Sequence, residues 1–127
     1  MNKAKAHTTE QTAVDIGKLL SEHKGGDVLV MDMRKINFWT DFFVIGTVSS
    51  STHLYGLERH IRDFTRERGI ETLRRSPKPR EGEEWSLIDL GAIVVHLMTS
   101  KARSFYELER LWAAASIIYQ DADKPPV

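Results

Sequence analysis

The chain has 127 residues, of which 41% are hydrophobic and 28% charged, with a formal net charge of zero and no cysteine. That length and apolar content suit one folded domain with a real core, and the charge balance argues against a dedicated nucleic-acid binder, which carries a basic excess. The lack of cysteine excludes disulfides, thiolate metal sites and thiol catalysis, and it agrees with a reducing compartment.

Residues 1–7 read as a loose tail. The opening MNKAKAHTTE has neither an apolar signal core nor an Arg-rich transit pattern, so a cytoplasmic protein is expected. No apolar run approaches the ~20 residues that span a bilayer. Thr8 and Gln11 fit a capping box. The helix that follows places Ala13, Ile16, Leu19 and Leu20 at helical spacing and stops at Gly25-Gly26. Val28 to Met33 reads as a short buried strand, and Arg34 to Asp41 as a connection carrying Phe38 and Trp39. Phe42 to Val48 is a second strand, rich in aromatic and β-branched residues. Ser49 to Thr52 makes a polar turn into a helix with Leu54, Leu57, Ile61 and Phe64 inward and Gly69 as its C′ residue. Glu58 with Arg62, and Arg59 with Asp63, are i,i+4 pairs on its outer face.

Ile70 to Leu73 is expected to form a short strand, and residues 74–84, RRSPKPREGEE, a loop. In the strand that starts at Trp85, Trp85, Leu87 and Asp89 share one face, and Ser86, Ile88 and Leu90 the other. Gly91 permits a tight reversal. From Ala92 to Met98 all is apolar except His96, as suits a central strand covered on both faces; His96 itself reads as a satisfied core or interface histidine. Ser100 caps a last helix whose stripe is Phe105, Leu108 and Trp112, with Tyr106 on the side of Arg103 and Arg110. Ala113 onward extends this helix briefly, then frays from Asp121. The expected fold is α/β (α+β), a single mixed β-sheet of about five strands flanked by helices in the order α-β-β-α-β-β-β-α. The domain spans 8–118, between disordered tails at 1–7 and 119–127.

Chemistry is sparse. The Gly46 to Ser51 turn is neither GxxxxGK[ST] nor GxGxxG, and no D-x-D pair follows it to hold Mg²⁺, so a serine-rich N-cap accounts for it. The five histidines show no HxxxH or HExxH spacing. No GxSxG elbow exists. No catalytic residue, metal ligand, cofactor or small-molecule substrate is assigned. Between Arg59 and Arg80, eight Arg or Lys stand against Asp63, Glu67 and Glu71; this local excess is either a solvated face and loop or a contact with phosphate backbone. Phe38, Trp39, Trp85 and Tyr106 are aromatics that the core pattern does not consume, and such residues favour protein-binding faces.

WSLIDLG, VVHLM and ARSFYELERLW resemble the signature of the Iojap family, the ribosomal silencing factors RsfS. DVLVMDMR and TDFFVIGTVSSSTH resemble the N-terminal half of the same pattern, and the likeness covers roughly residues 10–112. The resemblance implies a nucleotidyltransferase-like fold without the catalytic carboxylates, no enzymatic activity, and a homodimer. It implies binding to ribosomal protein fourteen of the large subunit, which blocks joining of the small subunit and represses translation under nutrient limitation. It assigns partner binding to Trp85, Asp89, Tyr106 and Glu109, with Leu111 bordering the site. In that setting Arg74, Arg75, Lys78 and Arg80 are the candidates for contact with ribosomal RNA. Two positions depart from the pattern: Ala92 replaces an acid after the hairpin glycine, and Ala113 replaces a glycine after the terminal Leu-Trp. The competing functions are a nucleotidyltransferase-like enzyme that uses the Ser49 to Ser51 turn, and a ribosome-assembly scaffold.

Overall fold

A computed structural model describes residues 8–36, 40–75, 84–106, 110 and 113–121. Helix α1 (Thr9–Glu22) begins where the Thr8 hydroxyl accepts the Gln11 N–H at 3.0 Å. The Gln11 side chain donates to Asp15 at 2.9 Å, so only half of the expected capping box forms. The helix ends in a Schellman motif, with Gly25 N–H bonded to the Leu20 carbonyl at 2.7 Å and Lys24 N–H to that of Ser21 at 3.2 Å. The left-handed residue in it is Lys24, with φ 70°, and the glycine pair lies just beyond.

Strands β1 (Gly26–Asp32) and β2 (Phe42–Val48) follow, then helix α2 (Ser51–Glu67). Ser50 caps α2 by accepting the His53 N–H at 3.0 Å, and Gly69, with φ 69°, closes it as expected. The ring of His53 ties the turn down: Ser49 N–H donates to its Nδ1 at 3.0 Å, and its Nε2 donates to the His23 carbonyl at 2.9 Å. His23 in turn stacks on His60 with centroids 3.6 Å apart, joining the end of α1 to α2. The chain then forms β3 (Arg74–Arg75), β4 (Trp85–Asp89), β5 (Ile93–Thr99), α3 (Ser100–Tyr106) and β6 (Ser116–Gln120).

These strands make one mixed sheet in the order β3-β4-β5-β2-β1-β6. The β2–β5 pair is parallel and the other pairs are antiparallel. One face carries Val30, Phe42, Val44, Val95 and Leu97, and α1 and α2 cover it with Ala13, Ile16, Leu20, Leu54, Leu57 and Ile61. The opposite face carries Met31, Phe43, Ile45, Val94 and Met98; α3 adds Ala102 there. Each fully buried aliphatic or aromatic side chain of this kind contributes about 1.5–3 kcal/mol of transfer free energy, and among the described residues the face under α1 and α2 holds the larger set.

The mixed sheet flanked by helices is as expected, but several assignments move. A sixth strand, β6, lies antiparallel to β1 where a brief extension of the last helix was expected. It carries regular structure to Gln120, past the boundary expected at 118. The short third strand is Arg74–Arg75, inside the expected loop, because those residues face Ile88 and Asp89 across the ladder. Glu58 is buried, not on the outer face of α2, and accepts the Ser86 hydroxyl. The buried set of α2 is Leu54, Leu57, Glu58, Ile61 and Thr65, so Glu58 lies within the stripe, opposite the one polar residue that β4 turns inward. Thr99, not Ser100, caps α3, its hydroxyl accepting the Ala102 N–H at 3.2 Å. Phe105, assigned to the core stripe, is 78% exposed. Helix α3 buries Ala102 and Arg103, and at about 100° per residue Phe105 falls outside that arc. Phe38, Trp39, Leu108 and Trp112 lie outside the described residues.

Candidate partner-binding face

Alternation along β4 puts Ser86 and Ile88 under α2 and leaves Trp85 and Leu87 half-buried on the opposite face. There they pack against Phe43, Ile45, Val94 and Met98 from β2 and β5. Register sets the neighbours: Trp85 lies across from Met98, Leu87 from His96, and Asp89 from Val94. Trp85 Nε1 donates to His96 Nδ1 at 3.2 Å. Burial pushes His96 down to about 4, so its ring is neutral near pH 7 and Nδ1 is available as an acceptor.

Helix α3 runs over this face because Arg103 anchors it. The Arg103 guanidinium is buried and donates to Thr47 Oγ1 at 2.9 Å and to the Gly26 carbonyl at 3.5 Å. Glu84 fastens the start of the same helix, its carboxylate accepting the Thr99 hydroxyl at 3.1 Å.

Of the residues that the resemblance assigned to partner binding, Trp85 and Asp89 share the expected face but stand at opposite ends of β4, roughly 13 Å apart at ~3.3 Å per residue. Asp89 is engaged locally: its Oδ1 accepts the Gly91 N–H at 2.8 Å and braces the hairpin at Gly91, φ 93°. Tyr106 belongs to α3, the helix that crosses this face. Glu109 and Leu111 lie outside the described residues. Among the RNA-contact candidates, Arg74 and Arg75 form the edge strand β3, and Lys78 and Arg80 are outside the described residues.

Two participants escaped the reading of the sequence. His96, expected as a satisfied core or interface histidine, is buried but only half satisfied: its Nδ1 holds the Trp85 indole while Nε2 has no partner among the described residues, and its signal was the lone polar residue in an apolar strand. Arg103 pins α3; it was grouped with Tyr106 on the side left out of the core. The Ser49 to Ser51 turn spends its Ser50 hydroxyl and Ser49 N–H on capping and on His53. Among the described residues, no group of three or more His, Asp or Glu is placed to hold a metal ion, and no helix is long and apolar enough to cross a membrane.

The family model described as ribosomal silencing factor during starvation matches residues 6–127, past both ends of the span that the motifs covered. The ribosomal silencing factor RsfS of Treponema pallidum is 34% identical over 97 residues, 76% of this chain and 86% of its own length. The chloroplastic protein Iojap of Arabidopsis thaliana is 30% identical over 116 residues; the match takes in 89% of this chain but only 48% of that longer relative. A crystal structure from Bacillus halodurans has the same fold, with a TM-score of 0.68 at 30% identity over 80% of this chain and 94% of that one. The chain therefore belongs to the RsfS family of ribosomal silencing factors.

Proposed function

We propose that this protein represses translation by binding the large ribosomal subunit through its ribosomal protein fourteen, blocking association with the small subunit when nutrients are limiting. It catalyses no reaction; it acts by occupying a surface. In this reading it is cytoplasmic, works as a homodimer, and holds its partner with Trp85, Asp89, Tyr106, Glu109 and Leu111, while Arg74, Arg75, Lys78 and Arg80 touch ribosomal RNA.

The observation that carries the reading is Trp85. In a chain of the silencing-factor family, a large aromatic stands half-buried at the rim of the sheet face that α3 crosses. Tryptophan and tyrosine give much contact area with few rotors, which is why they dominate interface hot spots. The test is co-sedimentation with purified large subunits. Tyr106→Ala and Trp85→Leu should each lower affinity about 30-fold, the equivalent of ~2 kcal/mol, and should restore joining of small subunits in a gradient assay. If both variants unfold cooperatively like the parent and still bind and block joining like it, the site is elsewhere.

A further inference from the structure

Every residue of β5 from Ile93 to Met98 is buried, and His96, at 4% exposure, is the sole polar member. Two rings enclose it. Phe43 meets it edge-on, with centroids 4.8 Å apart at 75°, and Trp85 leans over it at 5.8 Å and 46°. Because Nδ1 accepts the Trp85 N–H, the proton of the neutral ring sits on Nε2, and Nε2 has no partner among the described residues. A buried N–H without an acceptor is destabilising. A phenylalanine here would carry no such unpaired donor. The histidine ring thus costs the fold something, and the ring's one hydrogen bond among the described residues is with Trp85.

We propose that His96 is a positioning residue for partner binding: its Nδ1 holds the Trp85 indole in a single orientation at the rim of the sheet face that α3 crosses. This rests on the reading that Trp85 contacts the large subunit. An aromatic already ordered in the free protein binds more tightly than one that must be ordered by its partner. The indole N–H is spent on His96, so the partner meets the ring of Trp85 and not its donor.

The experiment uses the full chain in three variants, with thermal melting, the indole ¹H–¹⁵N resonances and affinity for purified large subunits as readouts. Trp85→Leu identifies the Trp85 resonance by its loss. His96→Phe should still unfold cooperatively near the parent temperature, shift the Trp85 indole proton upfield, and weaken large-subunit binding by about 5-fold, the loss expected when one ring must be ordered on binding. His96→Asn, which returns an acceptor near the Nδ1 position, should recover part of both the shift and the affinity. If Trp85→Leu binds weakly but His96→Phe binds like the parent, the inference falls and the site reading stands. Unchanged binding by both variants overturns the two together. A His96→Phe protein that melts well below the parent makes His96 a packing residue and overturns the inference as well.

Discussion

A histidine that cannot keep a proton ties stability to pH. Folded His96 is pushed down to about 4 by burial, whereas in the unfolded chain it takes up its proton near pH ~6.5. Between these values the unfolded state binds more protons than the folded one. Stability therefore falls as pH drops from about 6.5 toward 4 and levels off below, by up to about 3 kcal/mol in all. Asp32 acts in a different window. Its hydrogen bond from Arg34 holds its carboxyl below the ordinary 3.8, so its contribution is present above that value and lost as pH falls through the folded one. Urea unfolding at pH 7 and pH 5 isolates the histidine: the parent should lose roughly 2 kcal/mol more than His96→Phe over that interval. Equal losses would mean that the ring titrates normally. What was legible here was the anomaly, one polar residue in an apolar strand. Its bond to Trp85 was not, because it depends on the β4–β5 register, which pairs Leu87 with His96 and brings Trp85 alongside.

The two long helices close with the same pair of backbone hydrogen bonds but with different residues in the left-handed position: Gly69 after α2 and Lys24 after α1. An L side chain in that conformation costs about 1 kcal/mol relative to glycine. Lys24→Gly should therefore raise stability by ~0.5–1 kcal/mol and the melting temperature by roughly 3–5 °C, read by thermal denaturation. No rise would mean that the lysine is not strained there. Gly25-Gly26 announced the end of α1 in the sequence, yet the chain turned one residue earlier, since the Gly25 N–H is the donor that reaches Leu20. Elements with their own periodicity and caps, namely α1, β2, α2, β4 and β5, could be read locally. Strands β3 and β6 could not. A short apolar stretch such as Ser116 to Gln120 fits helix or strand equally well, and what decides is a vacant edge on β1, far away in sequence. Tyr119 then packs against the α1 side of the core, and its hydroxyl lies 3.3 Å from that of Ser21.

At the scale of the molecule, the charge is distributed unequally along the chain. Zero net charge gives no general attraction toward an RNA-rich particle, so any electrostatic pull must be local, in the excess between Arg59 and Arg80. The apolar contact proposed around Trp85 and the RNA contact proposed for Arg74, Arg75, Lys78 and Arg80 differ in their response to salt. Each phosphate neutralised by a cation releases counterions and steepens the fall of log K with log salt by about 0.7–0.9. Four such contacts give a slope of roughly −3, while burial of an aromatic ring is nearly indifferent to salt over the same range. Titration of labelled protein with purified large subunits, between about 50 and 300 mM KCl, separates the two sources. Replacing all four basic residues with glutamine should flatten the slope toward zero and leave much of the affinity at high salt. Trp85→Leu should lower affinity at every salt concentration with the slope unchanged. A slope that survives the fourfold substitution removes these residues from RNA contact, and a Trp85→Leu effect that vanishes at high salt would make the aromatic contact subordinate to the charges.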